Sequence, residues 1–337
     1  MRGFIGQRRV AERLGENALR GDVAHAYLFS GPRSIGKRTA AVRLAQTLNC
    51  TAAGRVAGGC GSCVACRKIE RGTHPDVRAV EKLADLRDIG IEQVREMQQD
   101  LALRPLEGRR RVVLIDDAAD LNEFGQDALL KTLEEPPAHA VLILITARPE
   151  MIHDTIRSRA QPIPFRLVPD KEMTSGLAER LGAAAETHAA AAGGRPGIAM
   201  TLATDARARS ARTAVEAELY RLVASGLTDR FAWAADLADD GDARRRSAAI
   251  GSRLDEWGEL LRDAVVAGQA AHARLLRPDR GDQSRRLGAS VPRRDLVDTA
   301  LLVQRLRRDL AWNANARSML ELFVLRLPFL AGLDKAA

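Results

Sequence analysis

The stretch "GPRSIGKRTA", residues 31–40, lies between a short apolar segment and a helix-forming one. Gly31, Gly36 and Lys37 match the pattern G-x-x-x-x-G-K-[ST] of a phosphate-binding loop. In such a loop, backbone N–H groups and a helix N-terminus face the phosphates, and the lysine reaches the terminal ones. The strand-loop-helix context favours this interpretation over a plain glycine-rich turn.

One position of the pattern is altered. Hydrolysis at a phosphate-binding loop uses a Ser or Thr hydroxyl after the lysine, together with an acid at the end of a later strand, to hold Mg²⁺. Arg38 replaces that hydroxyl, which appears one residue late on Thr39, while Asp116 in "VVLIDD" supplies the acid. Asp117 stands where ATPases of this class commonly place a Glu to orient the attacking water. A cation beside the metal and a shortened acid together predict a degenerate nucleotide site.

All four cysteines of the chain lie close together, at Cys50, Cys60, Cys63 and Cys66. The spacing C-x9-C-x2-C-x2-C suits four thiolates around a tetrahedral zinc ion. Disulfides are the competing interpretation, but cytoplasmic proteins rarely keep them. Four thiolates leave no coordination position open, so the predicted zinc is structural, and His74 nearby is a substitute ligand that the site does not need.

Short apolar segments rich in β-branched residues alternate with helix-forming segments in the first half of the chain. The candidate strands are "AYLFSG", "DVRAV", "RVVLID", "VLILIT" and "PIPF". Continuous apolar strands separated by helices imply a parallel sheet covered on both faces. The first domain is therefore predicted to be an α/β domain that ends near Leu167.

The second half of the chain is helical in pattern. We predict an α/β domain over 1–167 with the cysteine module at 50–66, a small helical domain over 168–207 and an all-helical domain over 208–337. Polar, Gly- and Pro-containing composition predicts a loop over 277–295. The segment "SMLELFVLRL" is apolar on nearly all sides, which predicts a helix buried between others.

Length and charge set broader limits. A chain of 337 residues is too long for one typical core. The formal net charge of +8 is compatible with an acidic partner such as nucleic acid, but interleaved acidic residues favour arginines spread over solvated helices. No apolar stretch approaches the roughly 18 residues that a membrane span needs, and the N-terminus lacks a signal-peptide pattern. We expect a cytoplasmic protein with no membrane partner.

Four segments in order, "AHAYLFSGP", "GCGSCVACRKIERGTHPDV", "VVLIDDAADLNEFGQDALLKTLEEPP" and "TIRSRAQ", resemble bacterial clamp-loader subunits of the AAA+ class. The likeness covers about residues 3–166 and returns at "NANARSMLELFVLRLP" near the C-terminus. It implies an AAA+ P-loop domain with a zinc module, then a helical lid domain and an all-α collar domain that holds the subunits together.

The resemblance also implies roles for single residues. Ser158 and Arg159 match the Ser-Arg of the family's Ser-Arg-Cys motif, whose arginine reaches into the neighbouring subunit's ATP site; Ala160 replaces the Cys. Thr146 falls near the first sensor position of the nucleotide site. Arg195 precedes the position of the second sensor arginine, which weakens hydrolysis at this site further.

Two subunit types of the family resemble this chain. One is an ATP-hydrolysing motor (gamma/tau), and the other is a non-motor type with a decayed ATP site. Arg38, Asp117 and "IDDAAD", where the motor usually has "DEVH", favour the non-motor type. Such a chain is no enzyme by itself; it is a subunit of a DNA polymerase holoenzyme. ATP with Mg²⁺, if bound, would not be hydrolysed.

The expected partners are gamma/tau and delta in a hetero-oligomeric ring, with the sliding clamp and primed DNA reached through the complex. Two other functions remain as alternatives. An active AAA+ ATPase would hydrolyse ATP alone. A zinc-dependent nucleic-acid-binding module would carry aromatic or basic side chains on its zinc knuckle, and the segment from Cys60 to Cys66 has none.

Overall fold

The structure is a computed structural model of the chain. It describes residues 4–83, 86, 88–239, 241–269, 275–311 and 315–330. The chain divides into two compact units. The first comprises Met1–Ala185 and Gly194–Gly197, and the second comprises Glu186–Gly193 and Ile198–Ala337. The segment 168–207 is shared between them, and the division into three domains stays a prediction.

The first unit contains a five-stranded parallel sheet with the order β2-β3-β4-β1-β5. Its strands are β1 Ala26–Ser30, β2 Val77–Val80, β3 Arg111–Ile115, β4 Ala140–Thr146 and β5 Gln161–Pro164. Each coincides with a predicted strand, so the parallel α/β sheet is confirmed. Because all strands run the same way, their carboxyl ends share one edge, where open α/β sheets bind ligands.

Fifteen α-helices are present among the described residues. They are α1 Arg8–Arg20, α2 Lys37–Asn49, α3 Val64–Glu70, α4 Ile91–Ala102, α5 Glu123–Glu134, α6 Asp154–Arg157, α7 Asp170–Leu181, α8 Ala185–Ala192, α9 Pro196–Thr204, α10 Ala206–Ala224, α11 Leu227–Ala238, α12 Ala243–Ala267, α13 Gly281–Ser290, α14 Arg293–Ala311 and α15 Ala316–Arg326. Within the described ranges, none of these helices combines the length and apolar character of a membrane span.

Alternation along the strands divides the core of the first unit into two layers. Phe29 and Ile143 face a layer that includes Leu44 of α2, while Leu28 and Leu144 face the opposite layer. Successive side chains of a strand point to opposite faces, so buried strands must be apolar at every position. This explains the uninterrupted apolar segments in the sequence.

The second unit is built around α12. Trp257 is fully buried and stacks on Phe323 of α15, with ring centroids 4.9 Å apart. Leu254 and Leu261 lie on the same side of α12 and belong to the same buried cluster. The helical pattern of the second half of the chain is therefore confirmed.

Two local expectations are wrong. The predicted loop over 277–295 contains α13, whose Leu287 is fully buried. A Cβ at Gly288 would lie 2.4 Å from the carbonyl oxygen of Ala264, so a close backbone approach stabilises a helix of weak intrinsic propensity.

The second wrong expectation is that the segment "SMLELFVLRL" forms a helix buried between others. Among the described residues, α15 is buried on one side only. Leu322 is 42% exposed and Leu325 is 55% exposed. Residues 313 and 314, at the start of the resembling C-terminal segment, lie outside the described residues.

The buried guanidinium of Arg230, on α11, caps the ends of two other helices. Arg230 is 2% exposed. It donates hydrogen bonds to the carbonyls of Leu222 at 2.7 Å and Val223 at 2.9 Å, and to those of Leu327 at 2.6 Å and Pro328 at 2.9 Å. The last carbonyls of a helix have no partner within the helix, so one side chain satisfies the ends of both α10 and α15.

We expect Arg230→Ala to lower the free energy of unfolding by about 3 kcal/mol or more, because several buried carbonyls lose a donor together. Arg230→Lys should recover only part of this loss, because an ammonium lacks the planar fork of donors. Arg221 is exposed on α10 and provides the control; Arg221→Ala should cost less than about 0.5 kcal/mol. Urea unfolding measures the difference. Equal stability of the two alanine variants would contradict the capping role.

Candidate functional site

The predicted phosphate-binding loop connects the end of β1 to the first turn of α2. Gly31 has a φ of 139° and Gly36 a φ of 99°, in the region that favours glycine. A Cβ at Gly31 would lie 2.3 Å from the carbonyl oxygen of Phe165, so a larger residue does not fit. The backbone conformation of the loop therefore depends on glycine at these two positions.

Lys37 lies folded over this loop. Its side chain is 8% exposed, and its ammonium donates to the carbonyls of Gly31 at 2.6 Å and Pro32 at 2.7 Å. Burial lowers the pKa of Lys37 to about 8. A phosphate oxygen would replace these neutral acceptors with a charge-assisted hydrogen bond, which is stronger.

Arg38 bonds to the acid that would hold a metal ion. Its guanidinium donates to Asp116 Oδ2 at 2.6 Å and also forms an ion pair with Glu81. Asp116 follows β3 at the carboxyl edge of the sheet, as the sequence predicted. Thr39 is exposed, and a step of one residue turns a side chain by about 100° around a helix. The displaced hydroxyl of Thr39 therefore cannot take the place of the missing one.

The second acid is also paired with an arginine. Asp117 Oδ2 accepts a hydrogen bond of 2.9 Å from Arg33, a residue of the phosphate-binding loop itself. Asp117 has a φ of 54° and begins a short 3₁₀ turn after β3. Both carboxylates predicted for the nucleotide site are thus brought to the loop, and both are engaged by arginines from it or from the start of α2.

Thr146 completes the edge of the site. It ends β4 and pairs with Ser30, the last residue of β1 before the loop. Thr146 is 1% exposed, and its hydroxyl accepts a hydrogen bond from the N–H of Arg148 at 2.9 Å. Arg195 is 7% exposed and directly precedes α9.

Arg159 is not part of this group of residues around the phosphate-binding loop. Its guanidinium donates to the carbonyl of Thr155 at 3.0 Å and to the carboxylate of Glu134, at the end of α5, at 2.9 Å. The side chain is 38% exposed. Ala160, which replaces the Cys of the family's motif, is 4% exposed and belongs to the core. Arg159 is thus presented on the surface while its neighbour anchors the segment.

The four cysteines converge as the spacing predicted. The Sγ atoms of Cys50, Cys60, Cys63 and Cys66 all lie within 4.8 Å of one another, and none forms a disulfide. Four sulfurs at the usual zinc–sulfur distance of about 2.3 Å would be roughly 3.8 Å apart. Cys50–Cys63 and Cys60–Cys66 are each separated by 4.0 Å. The donor set and its geometry fit a tetrahedral metal ion.

Backbone groups support the thiolates of this cluster. The N–H of Cys63 points to Cys60 Sγ at 3.3 Å, and the N–H of Cys66 points to Cys63 Sγ at 3.4 Å. Burial opposes ionisation of Cys63, but hydrogen bonds from Thr51 and Cys66 lower its pKa to about 5. Burial raises the pKa of the Cys66 thiol to about 12. A metal ion would offset that cost by neutralising the buried sulfur.

His74 does not join the four sulfurs, and it has a different role. It is 3% exposed, and its Nδ1 accepts a hydrogen bond from the N–H of Asp76 at 3.1 Å. Asp76 in turn accepts hydrogen bonds from the N–H groups of Leu106, Glu107 and Gly108. The sequence did not predict this buried carboxylate; the position of Asp76 between Pro75 and β2 was the available signal. It fixes the connection that leads into β3.

A parallel sheet with a glycine loop after β1 and paired acids after β3 defines a P-loop type of α/β domain. Residues 6–169 match the family model described as DNA polymerase III, delta subunit. DNA polymerase III subunit gamma/tau of Mycobacterium tuberculosis is 39% identical over 174 residues, covering 52% of this chain and 30% of that protein. Subunit delta' of Pseudomonas aeruginosa is 37% identical over 183 residues, covering 53% and 56%.

Residues 6–169 are thus similar to DNA polymerase III subunits of the delta and gamma/tau types, which confirms the resemblance of the motifs in that part of the chain. Each alignment spans less than two thirds of the relative's own length. A solved gamma subunit-related protein of Thermotoga maritima aligns over 94% of this chain and 97% of its own, with a TM-score of 0.46 and 15% identity.

Proposed function

We propose that this chain is a non-motor subunit, of the delta-prime type, in a bacterial replicative clamp loader. The observation that carries the proposal is the hydrogen bond between Arg38 and Asp116, 2.6 Å long, at the position where a motor subunit holds Mg²⁺. The pairing of Arg33 with Asp117 supports it further, because the carboxylate that would orient water is already engaged. The delta-prime relative adds support from sequence.

In this role the chain helps load the sliding clamp on primed DNA as one member of a ring with gamma/tau and delta. The segment 168–207 acts as the lid, and 208–337 acts as the collar through which the subunits assemble. The exposed leucines of α15, Leu322 and Leu325, are consistent with such a collar, because they provide apolar surface that the described residues of this chain leave uncovered.

Arg159 supplies an arginine finger to the ATP site of a neighbouring subunit. Its exposed side chain and its bond to Glu134, itself 53% exposed, support this role. Exposed ion pairs contribute little free energy, so the guanidinium can leave this partner for a phosphate at small cost. We therefore assign Arg159 to the interface with a neighbouring subunit, where it would contact that subunit's nucleotide.

The four cysteines hold one structural zinc ion. Cys50 directly follows α2, and Cys63 and Cys66 lie at the start of α3, so the metal would tie the two helices together. The zinc takes no part in the proposed activity, because four thiolates leave no open coordination position.

Assembly tests the proposed function directly. The chain is expected to co-purify with gamma/tau and delta of the same organism in one stoichiometric complex, and that complex should load the clamp on primed DNA. Loading at the same rate by a complex that lacks the chain would contradict the proposal.

An active motor subunit is the second candidate, favoured by the 39% identity to a gamma/tau subunit. We expect the isolated chain to show no ATP turnover above that of Lys37→Ala, which removes the loop lysine. Arg38→Thr restores the hydroxyl but should not restore hydrolysis, because Asp117 still replaces the Glu that orients water. Phosphate release measures both. Steady turnover by the unaltered chain that is lost in Lys37→Ala would establish the motor function instead.

A further inference from the structure

The residues of the nucleotide site do not fit a magnesium ion. A P-loop protein holds Mg²⁺ through the hydroxyl after the lysine and through the acid at the end of a later strand. Here the hydroxyl position carries Arg38, and the acid, Asp116, is bonded to that same arginine at 2.6 Å. A metal ion would have to displace a cation from its carboxylate and then lie beside it, which Coulomb repulsion opposes.

The phosphate-binding part of the same site is intact. Gly31 and Gly36 keep their left-handed backbone, and Lys37 lies over the loop with its ammonium on two neutral carbonyls. The N–H of Gly197, just after the start of α9, donates to the carbonyl of Ser34 in the loop at 2.9 Å, which ties the loop to the start of that helix. The altered residues are therefore those that would bind the metal, while those that would bind phosphates remain.

Arg38 is placed to act on phosphates. It is the second residue of α2, next to Lys37, and its side chain is 53% exposed, so it can move toward a ligand. Its guanidinium forms ion pairs with Asp116 and Glu81, which keep it at the carboxyl edge of the sheet beside the loop. A planar guanidinium can bond two phosphate oxygens at once.

We propose that the loop binds a nucleoside di- or triphosphate without a divalent cation, with Arg38 supplying the positive charge that Mg²⁺ supplies in related sites. The inference deepens the proposed non-motor role, on which it rests, by giving the relic site a metal-independent ligand.

Titration with ADP tests the inference. Binding is measured by calorimetry in buffer stripped of metal by a chelating resin, and again with added MgCl₂; soluble EDTA is avoided because it would compete for the zinc. The dissociation constant of the unaltered chain is expected to be the same in both buffers, within about twofold. Arg38→Ala should weaken binding about tenfold in both, the scale of one charged hydrogen bond. Arg20→Ala, on an exposed arginine paired with Glu16, is the matched control and should bind like the unaltered chain.

Arg38→Thr provides the sharpest comparison. It frees Asp116 and restores the hydroxyl, so added MgCl₂ should now tighten ADP binding by about tenfold or more. Magnesium dependence in the unaltered chain would overturn the inference, as would failure to bind ADP at millimolar concentration in either buffer. If Arg38→Ala does not fold, the comparison of the unaltered chain in the two buffers still decides whether binding needs a divalent cation. Neither negative result affects assembly with gamma/tau and delta, so the proposed function is tested separately.

Discussion

In a reconstituted clamp loader, Arg159→Ala in this chain is expected to lower ATP turnover at the adjacent subunit's site by about 10³- to 10⁵-fold, the range for an arginine supplied in trans. The reason is the loss of positive charge where negative charge spreads over the transferred phosphoryl group. The total ATPase and clamp loading of the complex should fall less than this, because the other ATP sites of the ring keep their own arginines.

The contacts of Arg159 make this variant informative. Its bonds to Glu134 and to the carbonyl of Thr155 lie at an exposed surface, so their loss should leave folding, zinc content and assembly near normal. Arg159→Lys should recover little activity, because an ammonium cannot bond two phosphate oxygens in one plane. Arg157 is the matched control: it is exposed two residues earlier and pairs with Asp154, and Arg157→Ala should do much less harm.

DNA-stimulated phosphate release and clamp loading by the complex are the two measurements. If the Arg159→Ala complex assembles and performs both at the unaltered rate, Arg159 is a surface residue and the trans-acting role is wrong. A loss of assembly would also count against it, since the proposed contact is with a nucleotide and not with the partner's backbone.

The chain purified without added zinc is expected to contain about one equivalent of the metal, as four thiolates to one ion imply. Cys66→Ser should abolish the bound zinc and unfold the segment between α2 and α3. The reason is that the free energy of zinc binding is also the free energy that folds this segment. Apparent zinc-binding free energies of such sites reach about 10 to 16 kcal/mol in isolated peptides, so the loss should be large. Metal analysis and protease sensitivity of the segment 50–66 measure the two effects.

His74 offers the control for the zinc prediction. It is near the cysteines in sequence, but its Nδ1 is used by the N–H of Asp76 and it stands outside the sulfur cluster. His74→Gln should therefore keep the full zinc content. A metal-free chain that is fully folded, with protected residues 50–66, would overturn the site.

Much of the fold and of the candidate site was predictable because the signals are local. The loop from Gly31 to Lys37, the cysteine spacing and the continuous apolar strands each follow from a few neighbouring residues and their periodicity. The carboxyl edge of a parallel sheet then brings Asp116 and Thr146 to the loop, because parallel strands end at one side. The resemblance to DNA polymerase III subunits follows from the same segments in the same order.

The residue pattern alone was enough to predict a P-loop α/β domain, a four-cysteine module, a helical second half and the replacement of a hydroxyl by Arg38. The ion pairs of Arg38 and Arg33 could be seen only in the folded chain, because their partners Asp116 and Asp117 lie 78 and 84 residues away and are brought to them by the strand order. The same holds for Arg230, whose acceptors near the C-terminus are up to 98 residues distant, and for α13, which a close backbone contact stabilises against its composition. Long-range pairing depends on topology and packing, and no local pattern of residues encodes it.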